Sequence, residues 1–229
     1  GRRLWGAPTL LLVHGYCGDP NSTWPAQDFT SATPFEIPSA ESNDAFARQI
    51  VDYTKQRGMR AFSAIGHSQG GCALLHALTY YNSGLNKVSG SRGAVVQGLA
   101  SPWGGSALMN LYGYWRLIPF IGSVIPCGFV AELTPQGAAL WLQVIPMKSR
   151  GLVTTERVAG VPPIPCFLSQ LLLKVPNDGV VEADAAALAG GTNVPGPELG
   201  ECHATDMAFP VCTIDHSRNA RMNKRAARP

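Results

Sequence analysis

The chain has 229 residues, of which 45% are hydrophobic and only 14% charged, against about a quarter charged in an ordinary globular protein. This composition provides for a sizeable core and excludes an intrinsically disordered chain, and the length suits one compact α/β domain. The net charge of +3 is uneven, because Arg218, Arg221, Lys224, Arg225 and Arg228 all fall in the last twelve residues with no acid among them. The remainder lacks the dense basic patch that a nucleic-acid binder needs. A single domain over 1–217 followed by a solvated basic tail over 218–229 is expected.

Thr9 to Val13 is a short apolar run ending at His14-Gly15, and reads as a buried strand feeding a loop. Residues Gly15 to Pro38 are rich in Gly, Pro, Asn, Ser and Thr, which denies a long helix there and shows no clear extra strand. Ser42 is placed to cap a helix with Asp44 in its first turn. Phe46, Ile50 and Tyr53 share one face, and Gly58 is a natural stop. A strand over Ala61–Ile65, a tight turn at Gly66, a helix over Gln69–Tyr81 and a strand over Gly93–Ala100 follow. The alternation of strand and helix predicts a largely parallel sheet covered on both faces.

Pro102 to Met147 differs, with only Arg116 and Glu132 charged and with Trp103, Tyr112, Tyr114, Trp115, Phe120, Phe129 and Trp141 among its residues. A small apolar cap or substrate-pocket insertion is expected within 102–163, with LIPFIGSVIPCGF as the cap candidate. No transmembrane span is expected: Leu117–Ala131 is only 15 residues and contains Pro119 and Pro126, short of the roughly 20 that a spanning helix needs. Cys166–Val175 reads as a further strand running into a turn at Pro176-Asn177-Asp178-Gly179. Residues 182–189 read as helical, and Gly190–Glu201 as turn-rich with a weak strand.

Cys17, Cys72, Cys127, Cys166, Cys202 and Cys212 suit three disulfides and an oxidising, extracellular setting. Cys202–Cys212 closes the shortest loop, and a Cys127–Cys166 bond would restrain the insertion. No Cys/His spacing reads as a zinc site. The opening GRRLWGAP carries no targeting segment, as in a mature secreted chain.

The chemistry centres on Gly66-His67-Ser68-Gln69-Gly70, a G-x-S-x-G turn between an apolar strand and an amphipathic helix. Such a turn lifts a serine hydroxyl above the sheet, and small flanking residues are required because the turn is strained and its neighbours are close. A serine needs a base. His67 is expected to point away and His76 to lie on the following helix, which leaves His203 favoured over His216. Asp178, at a sharp turn 25 residues before His203, is the acid expected to orient the imidazole, with Asp184 and Asp206 as fallbacks. The backbone N–H groups of Tyr16 and Gln69 are placed to stabilise an oxyanion, and the His14 side chain to brace its loop.

Together LLLVHGYCG, AIGHSQGG, LASPWGGS, VPNDGVV and CHATDM, spread over residues 9 to 210, resemble the α/β-hydrolase superfamily, and within it the secreted bacterial-type lipases and serine esterases. The resemblance implies a three-layer fold around a mostly parallel central sheet, reduced where the Gly15–Pro38 loop lacks an extra strand, with Ser68 as nucleophile, His203 as base and Asp178 as acid. The reading is hydrolysis of hydrophobic acyl esters or lipids, in solution or at a lipid–water interface, a chemistry that requires no cofactor and no metal. The same triad would serve a polyester depolymerase or an acyltransferase, and a non-catalytic lipid-binding module on a hydrolase scaffold is the reading from another class.

Overall fold

A computed structural model describes residues 9–227 apart from 19–22, 40, 87–94, 116–128, 162–165, 167–171 and 205–210. Strands β1 (Leu10–Val13), β2 (Ala32–Pro34), β3 (Ser63–His67), β4 (Val96–Leu99), β5 (Val153–Ala159) and β6 (Thr192–Leu199) form one sheet in the order β2-β1-β3-β4-β5-β6. Every pairing is parallel. The helices are α1 (Asn43–Gln56), α2 (Gln69–Tyr80), α3 (Ala107–Trp115), α4 (Pro135–Val144), α5 (Met147–Arg150) and α6 (His216–Ala226).

A parallel sheet must bury both faces, and side chains alternate along each strand. Leu11, Val13, Ala64 and Val96 accordingly meet Phe46 and Ile50 of α1 and Leu74 and Leu78 of α2. Leu10, Leu12, Ile65 and Leu99 meet Trp24, Phe29 and Met222 of α6 on the other face. Ser42 Oγ accepts from the Ala45 N–H at 3.1 Å to start α1, and Gly58, at φ +69°, follows its end. Because β2 and β3 flank β1, the chain switches direction across the sheet at β1, and the carboxyl ends of β1 and β3 open onto a crevice there.

Several expectations are corrected. A short strand, β2, lies in the Gly15–Pro38 loop, so the sheet reaches six strands. The next strand after β4 is β5, inside the bounds expected for the insertion, not Cys166–Val175: the described residues of that segment, Cys166 and Leu172–Val175, are not in a strand. Buried Thr155 and Glu156 broke the apolar pattern of β5. Residues 182–189 form turns, because Asn193 bonds through its side chain to both the N–H and the carbonyl of Leu188. β6 is a full strand of eight residues despite Pro195 and Pro197, tolerable because it is an edge strand.

Residues 216–226 are not a solvated tail. Asp215 caps α6 by accepting from the Arg218 N–H at 2.7 Å; Met222 is buried, and Arg218 is 0% exposed. Gln97 Nε2 of β4 donates to Met222 O at 2.9 Å, and Ser63 Oγ of β3 to Ala226 O at 3.2 Å.

The disulfide chemistry is also corrected, since Cys166 bonds to Cys202. That excludes both the Cys202–Cys212 and the Cys127–Cys166 pairings. Cys17 is disulfide-bonded too, while Cys72 and Cys212 are free and buried. Cys212 lies alongside Cys202 instead, its N–H donating to Cys202 O at 2.9 Å. The Cys166–Cys202 bond closes a 36-residue separation, so breaking it with a Cys166→Ala/Cys202→Ala variant should cost about 2–4 kcal/mol, read as a lower denaturation midpoint.

In the apolar insertion, Trp103 and Trp141 belong to the core. The greater part of the LIPFIGSVIPCGF segment lies outside the described residues. No helix among the described residues is long and apolar enough to cross a membrane.

Candidate active site

Ser68 stands between β3 and α2 with φ 52° and ψ −130°, a conformation costly for a residue bearing a Cβ. Packing holds it there. A Cβ on Gly15 would lie 2.6 Å from Ser68 Cβ, while one on Gly66 would strike the backbone of Gly70 and Gly71, and one on Gly70 the carbonyl of His14. The small residues on either side of the serine are thus a consequence of how closely β1, β3 and the start of α2 approach. The side chain of Gln69 anchors α2 by donating to Glu41 O at 2.6 Å and to Asn43 Oδ1 at 3.3 Å.

Three separated segments meet above this turn. Ser68 Oγ is 2.8 Å from His203 Nε2, and His203 Nδ1 is 2.7 Å from Asp178 Oδ2. All three residues are buried. The other carboxylate oxygen of Asp178 accepts from the N–H groups of Val180 at 3.0 Å and Val181 at 2.7 Å. The His203 N–H donates to Asp178 O at 3.0 Å, so main chain and side chain both tie the two loops together. A carboxylate facing Nδ1 favours the tautomer that leaves Nε2 free to accept a proton.

The remaining polar residues sort clearly. His14 ring nitrogens lie 2.7 Å from Gly15 O and 2.8 Å from Ile37 O, so the ring braces its loop. His76 accepts from Trp141 Nε1 at 3.0 Å and faces Asp44 at 3.2 Å. His216 pairs with Asp28 at the surface, and Asp184 with Lys174; Asp206 lies outside the described residues. Tyr16 lines the cavities beside Ser68, and Gln69 opens α2. Burial, with nearby Tyr112 adding to it, pushes the Tyr16 hydroxyl up to about 12, so it stays protonated.

His67 departs from expectation. Its ring packs on that of His203, centroids 4.7 Å apart. Burial first, and His203 second, hold it well below the ordinary histidine range, so it is a neutral wall to the imidazole. Period-two alternation along β3 was the available signal: Ile65 and His67 share the face that α6 covers.

Two cavities meet at Ser68 and His203. One, of about 240 Å³, is largely apolar and is lined by Leu108, Met109 and Tyr112 of α3 together with Leu133, Val180 and Val181. The other, of about 480 Å³, is more polar and is lined by Thr23, His67, Thr213 and Ile214 among others. Among the described residues, one group of three carboxylates, Glu198, Glu201 and Asp215, brings oxygens within 4.8 Å of one another. Arg218 pairs with Glu198 and Glu201 there, so a guanidinium already supplies the positive charge.

The mature Bacillus licheniformis lipase is similar over 86% of this chain and 85% of its own, with a TM-score of 0.63 and 19% identity. A metagenomic carboxyl esterase is similar over 95% and 71%, with a TM-score of 0.61 and 19% identity. For the Staphylococcus hyicus lipase the coverage is 100% and 99%, the TM-score 0.55 and the identity 12%. The parallel sheet, the strained serine turn and these likenesses define an α/β-hydrolase fold. Within that class the chain belongs to the conditioned medium factor C-terminal domain family, whose profile matches residues 6–226. It is 36% identical over 225 residues to the conditioned medium factor of Dictyostelium discoideum, covering 95% of this chain but only 31% of that protein.

Proposed function

We propose that this chain is a serine carboxylic-ester hydrolase, a lipase or esterase acting on hydrophobic acyl esters through an acyl-enzyme. The observation that carries the reading is the hydrogen-bonded line Ser68–His203–Asp178 at the junction of an apolar and a more polar cavity. His203 Nε2 takes the Ser68 proton as Oγ attacks the ester carbonyl, and Asp178 stabilises the imidazolium. The N–H groups of Tyr16 and Gln69 face the developing oxyanion. His203 then protonates the departing alcohol, and water repeats the sequence on the acyl-serine. The apolar cavity takes the acyl chain, each buried methylene contributing about 0.8 kcal/mol. The disulfides and the relative's name support an extracellular setting.

Wild-type protein should turn over p-nitrophenyl esters, with Ser68→Ala reduced to background. A fluorophosphonate should label the wild type at Ser68 and leave the variant unlabelled. Equal turnover by the two proteins would remove the mechanism, and absence of labelling would favour the non-catalytic lipid-binding module. Across a series of ester chain lengths, Met109→Trp, which narrows the apolar cavity, should lower kcat/KM for octanoate by about tenfold or more while sparing acetate, a loss of several methylene contacts. A rate increase on emulsion formation would mark action at a lipid–water interface. Transfer to an added alcohol well above hydrolysis would mark an acyltransferase, and release of monomers from a polyester film a depolymerase.

A further inference from the structure

The chemistry described above uses none of the charged groups on α6, yet Arg218 is the largest charged side chain sealed inside the protein among the described residues, at 0% exposure. Its guanidinium reaches in four directions. Nη1 donates to Cys212 O at 2.9 Å and pairs with Glu201; Nη2 pairs with Glu198, and Nε lies 3.5 Å from Glu156. Glu201 and Cys212 are the two stems of the loop that carries His203. The stems are otherwise joined by the Cys202–Val211 bridge and the Cys212 N–H to Cys202 O hydrogen bond, and Cys202 is fixed to Cys166.

We propose, resting on the ester-hydrolase reading, that Arg218 is a positioning residue for His203. It clamps the two stems of the histidine loop to each other and to β5 and β6, so the reach of Nε2 to Ser68 depends on α6. The fork matters: a planar guanidinium can address a carbonyl and several carboxylates at fixed angles, whereas a lysine ammonium is a single point.

The charge inventory of the cluster gives this clamp a proton. Glu156 of β5, Glu198 of β6, Glu201 and Asp215 face Arg218, Arg221 and Arg225 of α6, with the Cys212 thiol beside them. Four acids meet three guanidinium groups, and the odd carboxylate is the most enclosed of those near the stems. Burial pushes Glu201 up to about 7 against the pull of Arg218. Asp215 is held below the usual carboxylate range, against its own burial, by the Arg218 N–H, the Ser217 hydroxyl and Glu201. Below neutrality Glu201 carries a proton and meets Arg218 as a neutral group. Above it Glu201 becomes an anion, its attraction to Arg218 outweighs the repulsion from Asp215, and the clamp tightens.

The experiment uses the whole chain as wild type, Arg218→Lys and Glu201→Gln. Arg218→Lys should lower kcat by about 10- to 100-fold with KM little changed, as expected when a reacting group is misplaced by an ångström or less. Histidine NMR should show the low-field Nδ1–H resonance of His203 in wild type and its broadening or loss in Arg218→Lys. Glu201→Gln keeps the neutral form at every pH. The ratio of its kcat to that of wild type should be level below pH 6 and fall through about 7, while effects common to both proteins cancel. An Arg218→Lys protein with wild-type kcat and an unchanged His203 resonance would overturn the proposal, as would a ratio flat from pH 5 to about 9. The resonance reads the clamp without any turnover, so a wild-type protein that failed to hydrolyse esters would defeat the proposed function and leave the positioning role separately decided.

Discussion

Asp178→Asn should lower kcat for ester hydrolysis by about four orders of magnitude while leaving the melting temperature nearly unchanged. The reason lies in which oxygen is already engaged. Asp178 Oδ1 accepts from two backbone N–H groups, of Val180 and Val181. An asparagine would keep its carbonyl oxygen on those donors and turn its NH2 towards His203 Nδ1. Two N–H groups cannot face each other, so Nδ1 would give up its hydrogen and become an acceptor, and the proton would move to Nε2. An imidazole protonated at Nε2 cannot take a proton from Ser68, which lies 2.8 Å away. The shape of the site would survive and its chemistry would not. Steady-state kinetics beside near-UV circular dichroism checks this, and activity within tenfold of wild type in a folded Asp178→Asn protein would reject Asp178 as the triad acid.

Trp103→Ala should produce the largest loss of stability, about 3–5 kcal/mol, and with it a fall in melting temperature on the order of 10 °C for a chain of this size. Trp103 is 0% exposed, and its indole N–H donates to Thr155 Oγ1 of β5 at 3.0 Å. The ring lies against Gly98 of β4 so closely that a Cβ there would come within 2.5 Å, and it also borders Gly71 at the start of α2. Alanine would open a cavity between β4, β5 and the first turn of α2 and leave Thr155 with one partner fewer. Denaturant unfolding measures the effect. A change below about 1 kcal/mol would mean that the surrounding elements collapse around the gap, contrary to the close packing on which the serine turn depends.

The three residues that the structure brings together were legible because their signals are local. Gly66, Ser68 and Gly70 sit within one turn, Asp178 announces itself in an Asn-Asp-Gly turn, and five histidines leave few choices of partner for Ser68. The early strands were legible for the same reason, since Leu10–Val13 and Ser63–Ile65 are nearly uninterrupted runs of small and apolar residues. What was missed depends on distant partners. β5 looked polar because Glu156 is buried against Arg218 and Arg225, more than sixty residues further along the chain. Residues 218–226 looked like a solvated tail for the complementary reason: their guanidinium groups seemed to have no acids nearby. Glu198, Glu201 and Asp215 immediately before α6 were the available hint. The disulfide pattern followed neither loop length nor proximity in sequence, because Cys202 bridges in parallel to Val211, and the thiol of the next residue, Cys212, is directed to the carbonyl of His203.

The placement of α6 has a consequence for how the chain is made. The face of the sheet that carries Leu10, Leu12 and Ile65 is covered in part by Met222, which leaves the ribosome after every strand has already emerged. Until α6 emerges, the nascent sheet therefore presents an apolar face that only residues such as Trp24 and Phe29 cover in part, the kind of surface that chaperones hold and that neighbouring nascent chains stick to. A ribosome stalled shortly before residue 216 would leave a chain with its serine turn synthesised and its sheet half clothed.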